Sequence, residues 1–423
     1  MEHPMPQWLD SNHMDPKWVE KATGISCRSC VAVDISNEGR KSKGDVKDGA
    51  TLRLTLDDLD KNNKNNKNNS SSSNTSNTST LVVKQVTESQ GTAMSKQLGL
   101  AREALFYSQL SQDLPANLFP KIHYSYGNYE TGEKCVIMED LENAIDSGVL
   151  FGPGNPNNWK RDLPTLAAKA GNPSSKQVAM VTFVQMAKVH ATYWKSSSKL
   201  LTNDKSWLRG QDWLQGQGQD SWKASQGMLQ NWWKDYLEAD QPAIIKWDPK
   251  VQKATEKAMN GISWESQLER LHTNGHWTLV HGDFWPGNIM WMILGSNSNN
   301  NNDDDDDQIK IIDWEMVGLG SGPQELGQYV ISNMDPAERR ASEKELVQAY
   351  YKELQANLED EKCCSWEYCW SEYKIGGVER WLWFLVYFIG NGMGDWAQFF
   401  HDQISEFMND HNLSEDDITQ PRP

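Results

Sequence analysis

LVHGDFWPGNIMW, residues 279–291, and IKIIDWE, residues 309–315, decide how this chain is read. Each holds a short apolar run of strand-forming residues that ends in side chains able to bind a cation or move a proton. Asp283 and Asn288 then fall on one loop, and Asp313 lies at the end of the next strand-like run. An H-G-D tripeptide occurs by chance in many loops, and an apolar run ending in Asp is an ordinary strand terminus. The two together, in this order on strand, loop, strand and strand, make a far more specific signal.

That spacing suits phosphoryl transfer from ATP to a hydroxyl. The reaction asks the protein for one group that orients and deprotonates the acceptor, and for hard oxygen ligands that hold magnesium against the phosphates. Asp283 fits the first role, while Asn288 and Asp313 offer an amide oxygen and a carboxylate for the second. The pattern D-x-x-x-x-N followed by I-D resembles the catalytic loop and metal-binding Asp of the protein kinases. Gly282, where protein kinases carry Arg, and Trp314-Glu315 after Asp313 shift the likeness. With them the chain resembles the aminoglycoside phosphotransferase and choline kinase superfamily, and within it the ecdysteroid-kinase-like branch.

The resemblance implies an α+β, bilobal, protein-kinase-like fold with a small β-rich N-lobe and a larger α-helical C-lobe. It implies ATP and Mg as cofactors, Asp283 as the catalytic base, His281 as the residue that braces its loop, and Asn288 and Asp313 as metal ligands. The expected nucleotide-binding lobe covers residues 20–138, and the catalytic and substrate lobe residues 139–423. In the first lobe, Lys84 lies in the strand-like LVVKQV and Glu103 near the start of the helix-like AREALFYSQL. A lysine in a strand is commonly a solvated edge charge, but this pair resembles the strand lysine and helix glutamate that clamp nucleotide phosphates in kinases. The glycine-bearing stretch 37–50 precedes a strand where a phosphate-covering loop belongs, although it lacks G-x-G-x-x-G. The run CVIMEDLEN resembles the family's link between lobes, whose backbone around Met138, Glu139 and Asp140 would meet the adenine edge; the plain alternative is an edge strand followed by a turn.

Two polar inserts punctuate these elements. Residues 60–80, rich in Asn, Ser and Thr, and residues 295–308, which carry five consecutive aspartates, have almost nothing apolar to bury. Both are expected as disordered tips of hairpins, where extra length costs little closure entropy. Val181, Val184, Ala187, Ala191 and Trp194 recur at helical spacing, with His190 expected as a hydrogen-bonded core residue. The stretch GSGPQELGQYVI resembles the family pattern G-x-P-x-x-D-L-A, with Glu325 where Asp is typical and Gly327 where Ala is. Twenty tryptophans could in part cage a quaternary ammonium by cation–π attraction, yet Trp232, Trp233, Trp381 and Trp383 sit in helical patterns that read as core.

Composition narrows the partners. A formal net charge of −17 argues against a nucleic-acid or acidic-membrane surface, since such partners need basic patches. The apolar stretch 381–389 is far short of the roughly 20 residues that span a bilayer. The amino terminus has no apolar leader segment, which together with six cysteines points to a reducing, cytoplasmic setting. Cys27 and Cys30 form a C-x-x-C pair without a second ligand pair at metal spacing. The expected acceptor is a small-molecule alcohol, ecdysteroid-like or otherwise isoprenoid first and choline second, in a pocket drawn from residues 150–274 and 343–411. A pseudokinase-like binding protein is the alternative, disfavoured by the intact Asp283, Asn288 and Asp313. A protein kinase would need an A-P-E activation segment after Asp313, which the sequence lacks.

Overall fold

Apolar and polar residues alternate along Cys27–Asp34 (β1), Ala50–Asp58 (β2) and Thr78–Val86 (β3), and strands of that period bury one face against a core. The computed structural model describes residues 5–10, 12–35, 50–58, 78–86, 92–239, 244–273, 276–293, 308–358 and 364–422. Residues 37–49 of the expected phosphate loop, 60–77 of the first insert and 295–307 of the second lie outside them. Thr78 to Thr80, assigned to the first insert by composition, belong to β3 and pair with residues 55–57 of β2; threonine is a good strand former once a neighbouring strand supplies its hydrogen bonds.

The chain divides into two units, Met1–Glu142 and Asn143–Pro423. In the first, β1 to β3 join Ile122–Asn128 (β4) and Glu133–Glu139 (β5) in an antiparallel sheet of order β1-β2-β3-β5-β4. β3 is therefore central. Its odd-numbered side chains, Leu81 and Val83, pack with Leu52, Leu54, Leu56, Cys135 and Ile137 against Trp18 and Val19 of Pro16–Thr23 (α1). That helix starts on an Asp15 cap with Pro16 behind it and stops at Gly24 in the left-handed region. Cys27 and Cys30 are buried in the same core with their sulfurs 2.8 Å apart. After β3 come Thr92–Leu98 (α2) and Arg102–Gln109 (α3).

The second unit is mainly helical. Its helices are Leu163–Lys169 (α4), Ser175–Thr192 (α5), Ser197–Leu200 (α6), Gln211–Leu214 (α7), Gln219–Glu238 (α8), Pro249–Asn260 (α9), Trp264–Thr273 (α10), Gly322–Asn333 (α11), Pro336–Asn357 (α12), Trp366–Ser371 (α13), Gly377–Gly390 (α14) and Gly394–Asp410 (α15). The short strands Ala144–Asp146 (β6), Thr278–Val280 (β7), Ile289–Met292 (β8), Ile309–Ile311 (β9) and Gly318–Gly320 (β10) form two small sheets, β6-β8-β9 and β10-β7. This β-rich unit and large helical unit make up the expected α+β class. Among the described residues no helix is long and apolar enough to cross a membrane.

α5 begins with a reciprocal capping box between Ser174 and Gln177 and packs along α12. α11 is buried on nearly every side. Its Gly327 faces the π-helical turn Glu372–Gly376, where a Cβ would stand 2.1 Å from the Tyr373 carbonyl oxygen. Glycine fits at position 327 because this turn presses directly on the helix backbone. Trp233 and Trp381 are buried, while Trp232 and Trp383 pack at the margin of the cluster around Leu229 and Val386. These four tryptophans form core contacts, as their helical spacing suggests.

Candidate active site

β7 delivers His281 out of its apolar ladder into a turn that only glycine can complete. Gly282 has φ +83°, and a Cβ there would lie 2.1 Å from the Met316 carbonyl oxygen. An L side chain would meet both the left-handed penalty and a backbone collision. Gly282→Ala should accordingly cost more than about 1 kcal/mol of stability and lower the activity proposed below; an unchanged denaturant midpoint with unchanged turnover would refute this reading of the turn.

The turn is held from below by one buried carboxylate. Glu325 of α11 accepts the Gly282 amide through Oε1 at 2.7 Å and the His281 amide through Oε2 at 3.1 Å. Its Oε2 also lies 3.2 Å from His190 Nε2 of α5. The other His190 ring nitrogen meets the Tyr350 hydroxyl at 2.8 Å, so His190 is the hydrogen-bonded core residue its helical position suggested. Burial alone would raise the Glu325 pKa, but the His190 hydrogen bond, the nearby His190 and His281 rings and the Gly282 amide outweigh it and leave the carboxyl lowered.

His281 occupies both ring nitrogens with backbone. Nε2 donates to the Ile312 carbonyl at 2.9 Å, and Nδ1 accepts the Asp283 amide at 3.3 Å. Its ring also packs 4.6 Å from that of Trp314. This ties the Asp283 loop to the end of β9 and leaves the imidazole no nitrogen for proton transfer to a substrate. His281 thus holds the Asp283 loop against the end of β9.

Asn288 closes the other side of the loop. Its Nδ2 donates to the Asp283 main-chain carbonyl at 2.9 Å and to Asp283 Oδ2 at 3.0 Å, and the Asn288 main-chain carbonyl accepts the Ile312 amide at 3.0 Å. The amide oxygen is thereby turned away from Asp283. Asp313 follows Ile312 with φ 67° and ψ 55°, a left-handed conformation uncommon for a side-chain-bearing residue, though Asp tolerates it better than most. Burial, with help from the Asp313 carboxylate, raises the Asp283 pKa despite the opposing pull of His281, Arg380 and the Asn288 hydrogen bond. One unit therefore brings Asp283, His281 and Asn288 into one hydrogen-bonded cluster that also holds the carbonyl and amide of Ile312, the residue before Asp313.

In the amino-terminal unit, Lys84 and Glu103 meet. Lys84 Nζ lies 2.8 Å from Glu103 Oε1, and the glutamate is fully buried in α3. The even-numbered face of β3 points toward α3, opposite the core face, which is why Lys84 reaches the helix. A residue not singled out in the sequence shares this carboxylate: Lys134 of β5, on the same sheet face, reaches Glu103 Oε2 at 3.2 Å. Met138 is paired on both sides, with Val82 and Ile122. The Glu139 amide donates to the Lys121 carbonyl, and Asp140 accepts from Arg53 Nε at 2.6 Å. The backbone amide of Glu139 is thus committed within its own unit.

Arg380 is the second residue missed. It is buried in the apolar helix α14, donates to the Gly282 carbonyl at 2.6 Å and the Arg422 carbonyl at 3.1 Å, and lies 4.4 Å from the Phe384 ring centroid. A Glu-Arg pair inside an otherwise apolar helix was the available signal, since such residues are seldom buried without a specific partner.

No curated protein matches the chain. Among solved structures it is similar to choline kinase from Cryptosporidium parvum Iowa II, with 8% identity over 94% of this chain and 92% of that one at a TM-score of 0.49. It is similar to choline kinase LicA from Streptococcus pneumoniae, with 14% identity, 78% and 86% coverage and a TM-score of 0.40. It is also similar to a thermostable mutant of an aminoglycoside phosphotransferase, with 13% identity, 94% and 99% coverage and a TM-score of 0.44. Residues 171–363, which contain His190, the His281-Gly282-Asp283 turn, Asn288, Asp313 and Glu325, match the ecdysteroid kinase-like family.

Proposed function

We propose that this protein is an ATP- and magnesium-dependent phosphotransferase that phosphorylates a hydroxyl of a small molecule. The observation that carries this reading is the braced cluster of Asp283, Asn288 and Asp313. Glu325 fixes the backbone before Asp283, and His281 fixes the distance from that loop to Asp313. Such preorganisation is what a reaction limited by positioning requires.

Within this reading Asp283 orients the acceptor hydroxyl and takes its proton. A pKa raised above the usual aspartate value by burial makes its carboxylate a stronger base. Asn288 and Asp313 fit magnesium, because the Asn288 hydrogen bonds to Asp283 leave its amide oxygen outward and Asp313 adds a carboxylate, both hard donors. Bound magnesium would neutralise phosphate charge. Lys84, oriented by Glu103, would do the same for the inner phosphates, and residues around Met138 to Asp140 would receive the adenine. The amino-terminal unit is accordingly the nucleotide lobe and the second unit the catalytic and substrate lobe, in the cytoplasm. Lys84→Met should raise the KM for ATP about tenfold or more with the fold intact, measured by initial rates and circular dichroism; an unchanged KM would remove Lys84 from the site.

The acceptor remains a small alcohol in this proposal. A cavity inside the second unit, with Gly282 in its wall, is lined by Arg209, Arg270, Arg380 and Arg422 together with Trp213 and Trp277. Glu325 and Glu372 also line it, and four arginines against two carboxylates leave the wall net positive, which opposes a quaternary ammonium and favours an isoprenoid or other uncharged alcohol over choline. The direct test is incubation with ATP, magnesium and a panel of sterols, sugars, amino alcohols and aminoglycosides, with phosphorylated product read by mass. Labelled phosphate appearing on proteins, with no small-molecule product from a metabolite extract, would overturn the substrate class.

A further inference from the structure

The cavity beside Gly282 encloses about 710 Å³ of empty space, its open mouth included. Its cations and its carboxylates are unequally served. Glu325 is filled by the two loop amides and His190. Glu372 takes Arg422 at 2.7 Å, and Glu379, on the helix behind the wall, takes Arg422 Nε at 2.7 Å and the Thr419 amide at 2.7 Å. Arg270 reaches Glu379 only at 3.9 Å, and its Nη2 is buried without a hydrogen-bond partner among the described residues. His276 Nδ1, in the same wall, is also buried without one among the described residues, while its ring packs 4.2 Å from that of Tyr368. Arg380 spends its two hydrogen bonds on neutral carbonyls.

A buried donor left unmade costs more than the bond is worth, and the cost is larger on a charged group. Water could accept from Arg270 but would not offset the positive charge of the wall; an oxyanion does both, through short charge-assisted bonds. We propose that this cavity binds a small oxyanion, the carboxylate, sulfate or phosphate group of a ligand, between Arg270 and His276. The anion stands one arginine away from the turn that carries Asp283, because Arg380 lines the cavity and holds the Gly282 carbonyl.

The test is calorimetric titration of the full chain with sodium sulfate and with inorganic phosphate, against sodium chloride at matched ionic strength. Wild type should bind sulfate or phosphate saturably. Arg270→Gln should weaken that binding about tenfold or more and His276→Gln several-fold, while Lys234→Gln, on an exposed part of α8, leaves it unchanged. His276→Gln serves alone if Arg270→Gln does not fold. Absence of saturable binding beyond chloride, or binding that both cavity variants leave intact, would overturn the proposal; the second result would place the anion elsewhere, for example among the groups proposed to meet ATP.

A second arm separates the source of the group and rests on the proposed function. An alcohol accepted by the enzyme is compared with its analogue carrying a sulfate ester and one free hydroxyl. Loss of kcat/KM in Arg270→Gln for the sulfated analogue alone would assign the group to the acceptor, and loss of sulfate binding with both kcat/KM values unchanged would assign a free anion. Absence of all turnover would sink the phosphotransferase reading and leave the binding result standing.

Discussion

Asp283→Asn should slow phosphoryl transfer by roughly 10²- to 10⁴-fold, the range a positioned general base contributes, while nucleotide affinity stays near that of wild type. Asparagine keeps the shape of the side chain but cannot take the acceptor proton. Asn288 Nδ2 now donates to Asp283 Oδ2 at 3.0 Å, and the substituted side chain can still present an oxygen there, so the loop should hold. Single-turnover rates with product read by mass, beside a titration of magnesium-ATP, would measure both quantities. Near-normal turnover on the true acceptor would end the assignment of Asp283 as base, whereas equal loss of rate and nucleotide affinity would move it to the metal.

Glu325→Ala should be the most destabilising single change in the second unit's site, at about 3–5 kcal/mol, as for breaking a buried charged network by removing one partner. Three donors lose their acceptor at once: the amides of His281 and Gly282 and the ring of His190. Glu325→Gln should cost less stability but still reduce turnover, because its amide NH₂ must face one of those donors. The pH dependence has a definite sign. The Glu325 pKa is lowered from its ordinary value of 4.5 on folding, so the unfolded chain binds the proton more readily. Its contribution to stability is complete above about pH 4.5 and fades as pH falls through the folded value. Denaturant unfolding of wild type and Glu325→Gln from pH 7 to pH 3 would show it: the stability gap between them should narrow toward acid, and a constant gap would sink the account of Glu325 as an ionised brace.

Local chemistry made part of this protein legible. The alternating residues of β2 and β3, the helix around Glu103 and the order of Asp283, Asn288 and Asp313 each leave a pattern within a few residues, because strand period, helix period and loop spacing are short-range properties. The fold class and the likeness of residues 171–363 to a kinase-like family follow from such patterns. Thr78 to Thr80 show their limit: composition alone assigned them to a polar insert, and pairing with β2 drew them into a strand. Lys134 shows another, since nothing in the sequence says that two lysines share one buried carboxylate; only the register of β3 with β5 puts both on one face.

The sequence by itself determined which chemical groups are present and which lie on one loop: the Asp283 carboxylate and the Asn288 amide, with Gly282 before the first, and the Asp313 carboxylate beyond the next strands. The tertiary structure decided what holds them. Glu325, 43 residues beyond Gly282, and Arg380, 98 residues beyond it, both end on that turn, and Arg422 closes on the same helix as Arg380. Contacts at such separation depend on how buried helices pack and where a π-helical turn presses on Gly327. Packing of that kind has no period in the chain, so the brace and the cationic cavity became visible only once the helices were in place.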